Sequence, residues 1–533
     1  MHQNSSVRPV LPLWAALVAA AAGGLALDAS FPSLGIWPLA FVAVALGLVS
    51  LIGRSSVGAF FTGVAFGTCF YFPHVDWAAS FLGDHPLRWI PWVALASVET
   101  VFTGLGAILI MLVYRWVPRA IADGPARIVV TALLSAGVWT TRELIMGSWP
   151  YGGFPWGRLG MSQAEGPLAP VASWTGVAGL TFVMVLVVTS TIEAVRVTAR
   201  QPTARRSWLA PCWPAGLLVL LAVVPQFPTA DAGSIRVGAV QGDGPAAYLD
   251  QREYLDVLNA QLRASAPIAD DSVDVVLWPE GGVDADPLRN RDAMRELDGA
   301  VRQLGAPILL NAAMANGELI FNTSMLWTQD GPGEQHAKRY PVPFGEYVPQ
   351  RELYARVVPS LIEMIQREYE PGRDEPVITV PTASGPVPIG LAICFDVLFD
   401  DLVWEGAHGG AQVYMFQTNN ADFRGTDENQ QQLAFARMRA IETGRSVVNI
   451  STVGTSQVIS SDGTTTAEIP ENEPGLIIAD VELREGLTPA VVAGQGIRVA
   501  LILLPLAGLI ACGIRGRRMA PKASSGVSHH TST

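Results

Sequence analysis

Ile389-Gly-Leu-Ala-Ile-Cys-Phe-Asp396 decides the fold. An apolar strand runs without a turn into a thiol and then a carboxylate. Two other stretches end in the same manner. Val275-Val-Leu-Trp-Pro-Glu280 runs into a carboxylate, and Val413-Tyr-Met-Phe-Gln-Thr-Asn-Asn420 runs into amides. In α/β sheets, ligands bind beyond the C-terminal ends of the strands. Polar and reactive side chains at three such ends predict one shared site.

The surroundings agree. Strand-like apolar, β-branched runs occur at Ser234–Gly242, Val273–Pro279, Pro307–Met314, Phe321–Thr328, Val387–Ile393, Val413–Thr418 and Ser446–Thr452. Helical patterns cover about 250–264, 287–303 and 428–443. In the last, Leu433, Ala436, Ala440 and Ile441 share one face, while Arg437 and Arg439 leave it. Strands alternating with helices predict an α/β domain over residues 230–490, long enough for one large core.

This block is acidic, with 18 Lys+Arg against 39 Asp+Glu, whereas the rest of the chain carries 17 against 8. Nucleic acid is therefore not an expected partner, because phosphate binding needs a cationic surface. The whole chain is 50% hydrophobic and 15% charged, against about 25% charged in ordinary soluble proteins. The excess apolar residues fall in eight runs near 11–27, 34–53, 57–73, 91–114, 128–146, 169–194, 208–227 and 497–514. Each approaches the roughly 20 residues that cross a bilayer. The first, preceded by Arg8, also fits a signal peptide, but seven later runs favour an uncleaved helix.

Loop cations orient these runs. With the N-terminus inside, 13 Lys+Arg are cytoplasmic, among them Arg54, Arg115, Arg196, Arg205, Arg206 and Lys522. The short outside loops and outer helix ends hold only Arg88, Arg142, Arg158 and Arg498. The expected organisation is a membrane domain of about seven helices over 1–229, an outer-face domain over 230–490, a last transmembrane helix at 491–516 and a disordered cytoplasmic tail at 517–533. Glu99 and Glu143 fall within spans. Intramembrane carboxylates mark function by default, and a helix–helix hydrogen bond is the plainer reading. The aromatics of Trp149-Pro-Tyr-Gly-Gly-Phe-Pro-Trp156 suit an outside membrane interface.

Chemistry narrows on three residues. Cys394 is the only cysteine of the acidic block, and no zinc spacing accompanies it. Lys338 is one of two lysines in a chain with 33 arginines, the other being Lys522. A thiol, with pKa of about 8.5, needs a base, and Glu280 can take its proton. The thiolate can then attack an acyl carbon. Lys338 and the backbone N–H of Phe395 can receive the oxyanion. A compact ammonium fits that task better than a planar guanidinium. His336 and His408 are the only histidines of the block, and neither sits at a strand end. Taken singly, each of the three also has a plain reading: a buried small hydrophobe, a turn residue and a solvated cation.

At these residues the sequence resembles the nitrilase superfamily, whose αββα fold carries a Glu-Lys-Cys triad. With the apolar runs on both sides it resembles the apolipoprotein N-acyltransferase family of bacterial membranes. The supporting motifs are Gly153-Phe-Pro-Trp156, Val240-Gln-Gly242, Trp278-Pro-Glu280, Lys338 with Val342-Pro-Phe-Gly-Glu-Tyr-Val-Pro349, Cys394 and Gln432–Arg445. The resemblance implies Glu280 as general base, Lys338 as oxyanion stabiliser, Cys394 as nucleophile and Glu346 as an auxiliary that orients the lysine. Asp396 stands where the family usually has Glu, and Asp422 stands where it often has Trp. The second change removes an apolar wall and bears on acyl-donor preference.

The implied reaction is ping-pong transfer of an acyl chain from a phospholipid, through a Cys394 thioester, to the α-amino group of diacylglyceryl-cysteine in a lipoprotein. Phospholipid and diacylglyceryl-modified lipoproteins are the expected partners in the inner membrane, and neither cofactor nor metal is expected. A membrane-anchored amidase using water shares the triad, and an inactive lipid-binding scaffold is a further alternative. Val357–Ile365 is apolar enough to dip into lipid or form a lid, or else to be a core helix.

Overall fold

The computed structural model describes residues 8–200 and 212–519. Arg205, Arg206, Lys522, the start of the seventh apolar run and the tail beyond Met519 lie outside them. Seven apolar helices come first: α1 (Leu13–Asp28), α2 (Leu39–Leu51), α3 (Ser56–His74), α4 (Trp89–Ala120), α5 (Pro125–Met146), α6 (Ala172–Arg200) and α7 (Cys212–Ala222). An eighth closes the described chain at Pro489–Met519. Helices thus stand at all eight expected places, but only α3, α4, α5, α6 and the last are long and apolar enough to cross a membrane. The other three are apolar and shorter.

Small residues set the close contacts of this bundle, as packing without a hydrophobic drive requires. A Cβ added at Gly63 of α3 would lie 2.5 Å from the Ala107 side chain of α4. One added at Gly137 of α5 would lie 2.0 Å from Pro505 of the C-terminal helix. That helix therefore returns to the bundle through a proline pressed on a glycine.

Between α7 and the C-terminal helix lie two six-stranded sheets. The first contains β1 (Ala230–Gln241), β2 (Val275–Leu277), β3 (Ile308–Asn316), β4 (Leu319–Thr328) and β5 (Gly331–Ala337). The second contains β6 (Val377–Thr382), β7 (Gly385–Ile393), β8 (Val413–Thr418), β9 (Val447–Ser451), β10 (Ser456–Ile459) and β11 (Thr465–Ile469). β12 (Gly475–Glu485) returns to the edge of the first, beside β1. Each sheet has a parallel centre, β1-β2-β3 and β7-β8-β9, flanked by antiparallel strands.

Alternation along the strands builds the layers. Ile235, Val237 and Ala239 of β1 face Ile389 and Leu391 of β7 and Val413 and Met415 of β8 in one core between the sheets. The outer face of the first sheet packs on α8 (Asp256–Ser265) and α9 (Arg291–Leu304) through Leu258, Leu297 and Val301. Asn290 caps α9, accepting from Asp292 N and Ala293 N, and Gly305 ends it in the left-handed region. Helices α10 (Arg351–Val357) and α11 (Pro359–Met364) lie in the long β5–β6 connection.

The outer face of the second sheet carries α12 (Asp400–His408) and α13 (Glu428–Thr443). These do not face water. Phe416, Leu402, Phe435 and Met438 belong to the same continuous core as Leu159, Val177 and Leu180 of the membrane half. The αββα sandwich therefore uses the membrane helices as a fifth layer.

This explains the odd composition of α13, a polar helix that is almost wholly buried. Arg439 leaves the apolar stripe without reaching water. It is fully buried, donates to the Val397 and Leu398 carbonyls, and pairs with Asp400 and Glu442. Glu442 Oε1 in turn accepts from Val177 N, just past the break in α6 at Gly176. A carboxylate there favours the positive start of the resumed helix.

Candidate active site

Three strand ends meet below the sandwich. β2 ends at Leu277, and Trp278 and Pro279 carry the chain to Glu280. Lys338 follows β5 directly, its N–H bonded to Asn322 O at 2.8 Å. Cys394 follows β7 with φ of +50°. That conformation costs a non-glycine residue roughly 1–3 kcal/mol, so the surroundings must hold it. Asp396 supplies the hold. Its Oδ2 accepts from Ile393 N and Arg339 N, each at 3.3 Å, and its Oδ1 accepts from Tyr340 N at 2.8 Å. One carboxylate therefore ties the cysteine turn to the lysine segment. Burial pushes Asp396 up to about 6, against the pull of Lys338 and these N–H groups.

Lys338 is 1% exposed. Its Nζ lies 3.0 Å from Glu280 Oε1 and 2.8 Å from Glu346 Oε2. Burial opposes its charge, but Glu280 and Glu346 outweigh burial and hold the ammonium well above its ordinary pKa. Burial likewise works against the Glu346 charge, and Lys338 overcomes it, lowering that carboxyl. The Cys394 thiol is pushed well above its ordinary value by burial and then by Glu280. At neutral pH the resting site holds a charged lysine and a protonated thiol.

The sequence reading missed the groups that organise the carboxylates. Asn322 Nδ2 donates to Glu280 Oε1 at 2.7 Å and to Glu346 Oε1 at 3.1 Å. Asn311 Nδ2 fixes Asn322 at 2.8 Å, and Gly281 N fixes Asn311 at 2.8 Å. The available signal was a lone amide inside each of two apolar strands. On the other side, Gln432 Nε2 donates to Cys394 Sγ at 3.6 Å. Asn420 Nδ2 holds Gln432 Oε1 at 2.9 Å and Glu428 Oε2 at 2.7 Å. Burial pushes Glu428 up to about 8, against the Asn420 bond.

Glu280, Lys338 and Cys394 line one side of a cavity of about 770 Å³. Ile90, Ala94, Val98 and Glu99 of membrane helix α4 line another, and Phe154 and Trp156 join them. Much of the Trp149–Trp156 stretch is thus enclosed, although Trp149 itself is exposed. Phe154 stacks on Phe395, and Trp77 and Trp156 both donate to Gln431 Oε1, at 3.2 and 2.6 Å. Glu143 takes the plainer role, accepting from Trp139, Arg142, Thr181 and Leu159 N. The Val357–Ile365 stretch divides between its two readings. Leu361, Ile362 and Ile365 are buried beside the cavity, while Val357 is 70% exposed.

His336 stays away from the chemistry. It lies inside β5, fully buried, with neither ring nitrogen hydrogen-bonded among the described residues. Burial pushes its pKa down to about 4.

A half-buried thiol, a carboxylate and an ammonium beside an apolar cavity can perform acyl transfer. The comparisons with known proteins divide at the same boundary as the architecture. The apolipoprotein N-acyltransferase N-terminal domain family matches residues 23–190, and the carbon-nitrogen hydrolase family matches residues 236–486. The chain is 32% identical to the apolipoprotein N-acyltransferase of Mycolicibacterium smegmatis, over 96% of this chain and 88% of that protein. It is 29% identical to that of Azotobacter vinelandii, over 89% and 90%. Among solved structures, a nitrilase-superfamily amidase from Nesterenkonia is 18% identical, with a TM-score of 0.36 over 48% of this chain and 93% of that one.

Proposed function

Because the chain belongs to the apolipoprotein N-acyltransferase family, we propose that it transfers an acyl chain from a membrane phospholipid to the α-amino group of a lipoprotein's diacylglyceryl-cysteine. Cys394 is the nucleophile, Glu280 the base, and Lys338 with Phe395 N–H the oxyanion donors. Glu346, Asn322 and Asp396 position them. The carrying observation is the single cavity that joins these three side chains to the outer part of α4. An ester anchored in the bilayer can enter from the membrane side and meet the thiol without leaving apolar surroundings.

In the first half-reaction Glu280 takes the Cys394 proton as sulfur attacks the ester carbonyl. The tetrahedral oxyanion is met by charge already in place, so little reorganisation is needed. Collapse breaks the ester C–O bond, and Glu280 returns the proton to the departing lysophospholipid oxygen, which leaves as the hydroxyl. In the second half-reaction the α-amine attacks the thioester carbonyl. Glu280 accepts the amine proton, the C–S bond breaks, and the proton returns to sulfur.

The apolar approach supports a lipid-anchored amine over water as acceptor, which sets this reading against an amidase. The loop-cation bias supports a sandwich on the outer face of the inner membrane, with both termini cytoplasmic. Intact mass of the purified protein with defined phospholipids tests the scheme. The expected result is an acyl-sized mass increase, absent from Cys394→Ala. N-acylated lipoprotein produced by Cys394→Ala would remove the cysteine from its role.

A further inference from the structure

Two cations on the cavity wall remain outside the mechanism. Lys338 is committed to Glu280 and Glu346, but Arg252 and Arg367 also line the cavity. Neither forms a salt bridge among the described residues. Arg252 donates to the Ala247 carbonyl at 2.5 Å. The Arg367 guanidinium lies 4.2 Å from the Tyr248 ring centre and 5.9 Å from that of Tyr369, and its charge acts on Asp422 without a direct ion pair among the described residues.

The platform beneath Arg367 is built. Tyr248 OH donates to Met364 O at 3.1 Å and accepts from Gln366 N at 2.9 Å, so the ring is fixed to the segment that carries the arginine. Tyr248 N donates to Asp422 Oδ1 at 2.7 Å. The Tyr248 ring also stacks on Phe81, with centroids 5.8 Å apart and planes nearly parallel. Phe81 belongs to the short turn that follows α3 and leads to α4, so the guanidinium stands at the end of the membrane helices where α3 stops. A stacked guanidinium with free N–H edges is preorganised for an oxyanion. Anionic lipid phosphates lie at that level of a bilayer.

We propose that Arg367 and Arg252 bind the phosphodiester of the acyl-donor phospholipid. Arg367 on its aromatic platform is the principal contact, and the ester then reaches Cys394 through the shared cavity. The subsite rests on the phospholipid reading above. Asp422 sharpens it. This carboxylate lines the same cavity beside the arginines, so a second negative charge in the headgroup would meet repulsion. A zwitterionic headgroup fits better than one of net negative charge.

Native mass spectrometry of the full-length Cys394→Ser protein, released from detergent with dioleoyl phosphatidylethanolamine or dioleoylglycerol, reads binding without turnover. The expected result is about tenfold weaker phosphatidylethanolamine retention in Arg367→Ala, equivalent to about 1.4 kcal/mol. Arg367→Lys should be intermediate, and dioleoylglycerol retention should not change. Asp422→Asn should raise retention of dioleoyl phosphatidylglycerol relative to phosphatidylethanolamine. Equal phosphatidylethanolamine retention with and without Arg367, or an equal loss of dioleoylglycerol, overturns the subsite. Arginine-dependent retention in a protein whose Cys394 form makes no acyl-enzyme leaves the subsite standing and removes the acyl-transfer reading instead.

Discussion

Glu346 Oε2 lies 2.8 Å from Lys338 Nζ and accepts Val342 N at the same distance. The loop that follows the lysine therefore folds back to hold its ammonium. Glu280 and Asn322 complete a cage sized for a point charge.

That cage predicts intolerance of a guanidinium. Lys338→Arg keeps the charge but needs room for a planar fork at a position 1% exposed. Single-turnover acyl-enzyme formation should fall by about 10²–10³-fold, the range for loss of an oxyanion donor. The neighbouring Arg339 spreads over Glu405 and the Asp374 carbonyl instead. Arg339→Lys should stay within about threefold of the parent rate, because the lysine keeps the charge beside Glu405 in a pair that water still reaches. A near-normal rate in Lys338→Arg would withdraw the oxyanion role.

Gln432 donates to the Cys394 sulfur, and a hydrogen bond to a thiolate favours the charged form. Burial already raises this thiol, so losing the donor should raise it further. In Gln432→Ala the pH midpoint of Cys394 alkylation, followed at the peptide level, should move up by about one unit, the equivalent of one modest bond to a charged group. An unmoved midpoint would reduce Gln432 to packing.

The two halves of the molecule are joined by buried ions. Arg158 reaches from the membrane half to Asp400 through two bonds of 2.8 Å, and Arg439 meets the same carboxylate at 2.7 Å. Burial disfavours the Asp400 charge, but Arg158 and Arg439 hold the carboxyl far below its usual range. Asp400→Asn keeps the volume, leaves Arg158 without its counter-charge and leaves Arg439 with Glu442 alone. Removing one partner from such a cluster costs about 3–5 kcal/mol. The variant should unfold at lower temperature in detergent and become sensitive to protease in the α5–α6 loop. Unchanged unfolding would show that apolar contact alone docks the halves.

His336 predicts acid sensitivity. Its folded pKa of about 4 lies below an unfolded value of about 6.5. Between those values the unfolded chain binds the proton and the folded chain does not, so stability falls as pH drops through that window. The full contribution is about 3 kcal/mol at two to three pKa units. Buried Asp396 and half-buried Asp422, both raised to about 6, act in the opposite sense over part of it. The measurement is therefore a difference: His336→Phe should lose less stability than the parent between pH 6.5 and 4. Parallel curves would mean that the imidazole is solvated.

The candidate reactive residues stood out in the chain because each broke a local rule. Glu280 and Cys394 ended apolar strands, and Lys338 was a lysine among arginines. Asn311, Asn322, Gln432 and Arg439 broke no such rule. Amides and arginines occur in strands and helices for many reasons, and the bonds from Asn311 to Asn322, Asn322 to Glu280, Gln432 to Cys394 and Arg439 to Val397 span 11 to 42 residues. The same limit hid α13. Its polar pattern reads as a solvated face, and only the docked membrane half makes it interior.

By itself the order of residues gave the α/β alternation and the apolar anchors on both sides of it, and singled out three candidate reacting groups, because periodicity, apolar run length and residue chemistry are local properties; the two-sheet sandwich came from the family resemblance. Tertiary structure alone decided the cage around Lys338, the tie from Asp396 to two segments, the buried ions at the junction and the cavity shared with α4. Those depend on which distant surfaces are pressed together and lose their water, and desolvation belongs to the fold rather than to any stretch of the chain.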